Sequence, residues 1–204
     1  MKIPTIKSIR NFGLATLTAG TLLFAPTAAR AQNHTNDSFE RTTITAQGTS
    51  SNKVLINAPD PTVRVLGENK TALFVVDITN NVLYEYDREG NPQAAYKIAS
   101  GKKSTPTTPG VRIVSHTETY PYKSAPKSTK RYNSPSAYGP KIIYIKLIDP
   151  VTGEITDNGE FIHGNNDANS IGKHVSGGCI RMDNEVIKDL SQKVKRGDII
   201  IIRK

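Results

Sequence analysis

A single cysteine, Cys179, stands in the 204-residue chain. It lies within Ser176-Gly177-Gly178-Cys179-Ile180-Arg181-Met182, and Phe161-Ile162-His163-Gly164-Asn165-Asn166 precedes that run. An unperturbed thiol, with a pKa near ~8.5, is mostly protonated at neutral pH, so a cysteine nucleophile needs a base at its side. His163, at the end of a short apolar step, can supply one if the Gly/Asn/Asp/Ser-rich stretch between them folds back. Ser176-Gly177-Gly178 brings backbone free of bulky side chains up to the thiol, so that amide N–H groups can turn toward the oxyanion of an acyl transfer. Arg181 adds a fixed cation able to bind a substrate carboxylate or to hold the loop.

Each feature has a plainer reading when taken alone. A lone cysteine serves as a small buried hydrophobe, Gly177-Gly178 as an ordinary turn, Arg181 as half of an ion pair and His163 as a satisfied core histidine. Together they describe a thiol acyltransferase. A zinc peptidase built from His163, His174, Asp167 and Cys179 is the metal alternative, but it lacks the spacing of two histidines four apart on a helix. No cofactor and no metal are expected.

The elements that must position these residues are short strands and turns. Leu73 to Ile78 and Val82 to Tyr86 flank Thr79-Asn80-Asn81 as a hairpin, and Ala94 to Ser100, Val111 to Val114, Ile142 to Ile148, Phe161-Ile162 and Ile199 to Ile202 read as further strands. Val186, Ile187, Leu190 and Val194 have a helical period, with Asp183 or Asn184 as N-cap and Gly197 as stop. A mostly β domain with one late helix is predicted. Thr117 to Pro140 breaks the pattern: it carries four prolines, four tyrosines and no apolar period, and reads as a lid or a floppy insertion.

Composition agrees with a globular, turn-rich protein: 36% hydrophobic and 22% charged residues, with 15 Gly and 12 Pro. One cysteine excludes an intramolecular disulfide and a multi-cysteine zinc site. Lys2, Lys7 and Arg10, the apolar stretch Phe12 to Ala25, and Ala29-Arg30-Ala31 form the pattern of a secretory signal peptide over residues 1–31. The stretch is shorter than the roughly 20 apolar residues a membrane span requires, so the mature chain is not expected to span a membrane. Removing Lys2, Lys7, Arg10 and Arg30 takes the net charge from +9 to +5, a basic surface suited to polyanionic wall or headgroup partners. The basic residues form no stripe, and no nucleic-acid-binding motif is present. Residues 32–69 read as a polar export linker and 70–204 as the folded domain.

His163-Gly164 followed by Ser176-x-Gly178-Cys179-Ile180-Arg181-Met182 resembles the L,D-transpeptidase catalytic domain of the YkuD type. Phe74-Val75-Val76-Asp77, Val82 to Tyr86, Ser100-Gly101, Thr108-Pro109-Gly110, Tyr138-Gly139-Pro140 and Gly197 to Ile201 extend the likeness over about residues 70–204. The resemblance implies a β-sandwich-like fold, Cys179 as nucleophile and His163 as general acid/base. It also implies Ser176, Gly177, Gly178, Gly164 and Arg181 around the oxyanion and substrate. Many members have a second histidine where this chain has Gly177. The implied protein is exported to a bacterial periplasm or cell wall, crosslinks or trims peptidoglycan stem peptides through a Cys thioester, and is acylated by carbapenem β-lactams. An L,D-carboxypeptidase of the same fold and a non-catalytic wall-binding module are the alternatives.

Overall fold

The computed structural model describes residues 57–204; the expected signal peptide and most of the expected linker lie outside the described residues. Apolar β-branched runs form the centre of a ten-stranded mixed sheet. The hairpin of β2 (Glu68–Asp77) and β3 (Val82–Tyr86) pairs as predicted, Phe74 opposite Glu85 and Asp77 opposite Val82. The last strand, β12 (Ile199–Arg203), inserts between β2, to which it is parallel, and β6 (Gly110–Thr119), to which it is antiparallel. A strand paired on both edges and covered on both faces reads as an unbroken apolar run, hence Ile199-Ile200-Ile201-Ile202. Beyond β6 lie β7 (Lys141–Ile148), β9 (Phe161–His163) and β11 (Ile180–Arg181) in that order.

The helix that follows the site, α2 (Asn184–Lys193), is capped by the Asp183 carboxylate, which accepts from the Glu185 and Val186 amides. Its Val186, Ile187 and Leu190 pack with Phe74, Val76, Ile143, Ile145, Ile162, Ile180 and Met182 into the main core. Alternate residues of the same strands build a second cluster around Val75, Tyr84, Tyr86 and Ile199. Apolar layers therefore cover both faces of the sheet.

Four differences from the sequence reading have physical causes. The linker was expected to reach residue 69, but β1 (Thr62–Val65) pairs with the start of β2; an edge strand with polar, exposed side chains shows no apolar alternation. The strand expected over Ala94 to Ser100 divides into β4 (Pro92–Lys97) and β5 (Ser100–Gly101), because Ala99 bonds to Arg181 and β5 pairs with β10 (His174–Ser176). β6 runs well past Val114, its polar half held by β7 across a bulge. Thr117 to Pro140 is neither wholly aperiodic nor loose: it begins as β6, forms a short helix α1 (Lys130–Asn133) and ends in a 3-10 turn, Pro135–Tyr138.

Candidate active site

Two short strands position the chemistry. β9 and β11 run parallel with Ile162 opposite Ile180 and His163 opposite Arg181. Side chains alternate across a strand, so Ile162, Ile180 and Met182 enter the main core and Phe161, His163, Cys179 and Arg181 share the other face. Cys179 immediately precedes β11 and is placed diagonally to His163 across the pair. Neighbouring strands lie about 4.8 Å apart, so the folding-back required of the 164–178 segment has occurred.

His163 is 3% exposed, and its Nδ1 lies 2.5 Å from the Gly164 carbonyl. A carbonyl oxygen only accepts, so Nδ1 carries the proton and Nε2 keeps its lone pair. Burial, reinforced by the positive charges of Arg181 and Lys130, pushes the imidazole down to about 3. The ring is therefore neutral at neutral pH. Cys179 is half-buried; burial pushes its thiol up, and the Phe161 amide N–H, Arg181 and Arg131 oppose that while Glu160 adds to it. Cys179 Sγ donates weakly to the Gly159 carbonyl at 3.9 Å, so at rest the thiol is engaged there and the neutral imidazole stands diagonally across the strand pair.

The loop before the thiol is braced from within. Ser176 Oγ donates to the Cys179 carbonyl at 2.6 Å and accepts from the Gly178 amide at 3.1 Å. The Gly178 N–H, expected to face an oxyanion, is thus turned inward and engaged. Gly178 adopts φ +120°, a conformation that side-chain-bearing residues rarely reach. Gly177, exposed, meets nothing. A second brace comes from Thr107, whose hydroxyl donates to the Gly178 carbonyl at 2.7 Å and accepts from the Gly101 amide at 2.8 Å.

Behind the loop lies an ion pair not anticipated from sequence. Arg112, fully buried, bonds Glu160 Oε2 at 2.9 Å and the Thr108 carbonyl at 2.6 Å, while Glu160 Oε1 accepts from the Thr108 amide at 2.8 Å. The sequence signal was present: Arg112 falls in phase with Val114, a core position of β6.

The 117–140 insertion covers the site face. Tyr122 and Ala125 pack on Ile142 and Tyr144, with Tyr138 and Phe161 at the margin. The Tyr138 ring lies 4.7 Å from that of His163. Burial and the neighbouring Cys179 raise the Tyr138 phenol above its ordinary value. Arg131 of α1 stands 5.1 Å over both the Tyr144 and Phe161 rings. At the exit of the insertion, Gly139 abuts Gly164, and both press against Asn184 Oδ1, which also accepts from the Asn165 amide at 2.9 Å.

His174 belongs to another cluster: its ring contacts Ser100 Oγ at 2.9 Å and Asn81 Nδ2 at 3.2 Å. His116 stacks on Tyr144 at 4.1 Å. Asp167 caps a 3-10 turn through the Asn169 amide. Among the described residues, no three His, Cys, Asp or Glu side chains are grouped to hold a metal ion.

The solved structures similar to this chain include three L,D-transpeptidases of two species. An L,D-transpeptidase from Mycobacterium tuberculosis H37Rv is 19% identical, with 65% of this chain and 57% of that one covered and a TM-score of 0.48. The catalytic domain of the Enterococcus faecium L,D-transpeptidase is 23% identical, with 66% and 98% covered and a TM-score of 0.45. L,D-transpeptidase 3 from Mycobacterium tuberculosis, in complex with a faropenem-derived adduct, is 18% identical, with 65% and 60% covered and a TM-score of 0.45. The chain spans little more than half the length of the first of these. No curated protein matches it significantly. The profile of the YkuD L,D-transpeptidase catalytic domain matches residues 71–202, from β2 through β12, with the β9 and β11 strands inside it. The chain belongs to the L,D-transpeptidase catalytic-domain family.

Proposed function

We propose that the protein is an exported cysteine L,D-transpeptidase that acts on peptidoglycan stem peptides. The observation that carries this reading is the diagonal placement of Cys179 and His163 on one face of the β9–β11 pair, with the imidazole tautomer fixed by Gly164 so that Nε2 is the basic atom. Cys179 Sγ attacks the carbonyl at the L-centre of the third stem residue as His163 Nε2 takes the thiol proton. The C–N bond to the terminal D-residue breaks, His163 returns the proton to the departing amine, and a thioester remains. An acceptor amine from a second stem then forms the new amide, the C–S bond breaks, and the amine proton returns by way of His163 to the sulfur. With the Gly178 amide engaged, the Gly177 and Cys179 amides are the donors offered to the oxyanion.

The residue 1–31 pattern supports export, and the basic mature surface suits a polyanionic wall. Among the described residues, no helix is long and apolar enough to cross a membrane. A strained β-lactam presents the same electrophile with a tethered amine, so carbapenems are the expected covalent inhibitors.

Intact-mass spectrometry of the mature chain with a carbapenem should show one adduct per chain at Cys179, absent from Cys179→Ala. Incubation with a sacculus digest should give stem dimers lacking one terminal D-residue. Trimmed tripeptide without dimer would make the enzyme an L,D-carboxypeptidase. Neither adduct nor product would reduce it to a non-catalytic wall-binding module.

A further inference from the structure

The cover over the site face carries a guanidinium that makes no ion pair among the described residues, although Glu118 feels its charge. Arg131, on the four-residue helix α1, is half-buried, and its Nε is fully enclosed without a hydrogen-bond partner. Its guanidinium makes no hydrogen bond or ion pair with any described residue. Two rings, Tyr144 and Phe161, hold it in place by their faces, each 5.1 Å away.

The two nearby carboxylates are already in use. Glu118 accepts from the Ser124 amide and hydroxyl and from the Tyr144 hydroxyl. Glu160 is held by Arg112 and the Thr108 amide. Arg181, across from His163, repeats the pattern: its Nε too is enclosed and unpartnered. Both arginines lie close enough to Cys179 and Tyr138 for their charges to bear on each. Two guanidinium groups thus flank the thiol, neither in an ion pair with a described residue. An enclosed guanidinium nitrogen without a partner is costly, and a planar guanidinium fork matches a carboxylate in geometry.

We propose that Arg131, together with Arg181, forms a carboxylate subsite for the donor peptide, so that the insertion closes productively over anionic donors. This rests on the transpeptidase reading of the site. Two carboxylates on a donor have the required chemistry: that of the terminal D-residue, and the free side-chain carboxylate when the third residue is a diamino diacid.

The test is binding to the Cys179→Ala protein, which cannot turn its ligand over, measured by isothermal titration calorimetry. Three tetrapeptides serve as probes: one with both carboxylates free, one amidated on the side chain of residue three, and one amidated at the terminal D-residue. With Arg131 intact, one amidation should weaken binding about ten- to hundredfold, the usual scale for a charge-assisted hydrogen-bonded pair, and that amide identifies the partner. Adding Arg131→Gln should weaken the free peptide by a similar factor and erase the discrimination; Arg131→Lys should restore only part of it.

A purely structural role for Arg131, bracing α1 on the rings, would lower binding of all three peptides equally in Arg131→Gln, and that result overturns the proposal. So does equal affinity of all three for the Arg131 protein, or no binding at all. Turnover by the Cys179 protein is scored separately. Failure to convert the free peptide defeats the transpeptidase reading, whereas conversion that ignores the charge of the donor defeats only the subsite.

Discussion

The two faces of the β7–β9–β11 end of the sheet are closed by different means. On one, α2 lays Val186, Ile187 and Leu190 onto Ile143, Ile145, Ile162 and Ile180, an aliphatic layer. On the other, an insertion without period lays tyrosines and a guanidinium onto Ile142, Tyr144 and Phe161. The first face draws on apolar area, with a Lys193–Glu85 ion pair at the end of α2. The second gives up some of that area to set a thiol, a buried imidazole and two half-buried arginines on the face the insertion covers. Because the strands alternate, each of β9 and β11 contributes to both faces at once, so the core sets the position of the chemistry one residue away.

Variants that act on one face only sharpen this contrast. Cys179→Ala should abolish crosslinking and adduct formation while the thermal midpoint stays near that of the wild type, since a small apolar side chain fits where the thiol sat; a large fall in the midpoint would place Cys179 among the core residues. His163→Gln should cost about 10²–10⁴-fold in kcat/KM. It should also change acid stability in a definite direction. The folded imidazole is held down at about 3, whereas an unfolded one titrates near ~6.5. The wild type therefore loses stability as pH falls between those values. His163→Gln lacks that loss, so urea midpoints at pH 7 and pH 4.5 should differ less in the variant. An equal difference would mean that His163 is not buried neutral.

Arg112→Met breaks the pair behind the Cys179 loop and strands the Glu160 charge, at a cost of about 3–5 kcal/mol in unfolding free energy; Arg112→Met with Glu160→Leu should recover much of it. Leu190→Ala, on the helix face, should cost about 2–5 kcal/mol and leave the carbapenem adduct on Cys179 intact at low temperature. An adduct lost while the chain is still folded would show that the two faces are not separable. The smallest effect is expected from His174→Gln, whose ring lies with Ser100 and Asn81: kcat/KM within a few-fold of the wild type. A loss to match that of His163→Gln would move the base to His174.

What could be read from the sequence divides along the same line. The α2 face was legible because its period, its Asp183 cap and the strand alternation all express one rule, apolar residues at regular spacing facing inward. Cys179, His163 and Arg181 were legible as a motif. The insertion was not, since Tyr122, Tyr138 and Arg131 reach the site through turns whose geometry leaves no period in the text. The inward turn of the Gly178 amide was equally hidden: Ser176 can brace its own loop or face a ligand, and spacing alone does not choose. Arg112 gave a readable sign, a charge in phase with core positions, but its partner Glu160 lies 48 residues away.

The meeting of Gly139, Gly164 and Asn184 bears on how much this site can vary. A methyl group on either glycine would run into the Asn184 side-chain oxygen, so three chain segments share a joint with no clearance. One of them ends the insertion, one carries the carbonyl that orients His163, and one starts α2. Drift at any of the three is transmitted to the other two. The root of the insertion is geared to the base, while its middle holds Tyr122, Ala125 and Arg131 against the site face, so substitution at the root should alter the rate.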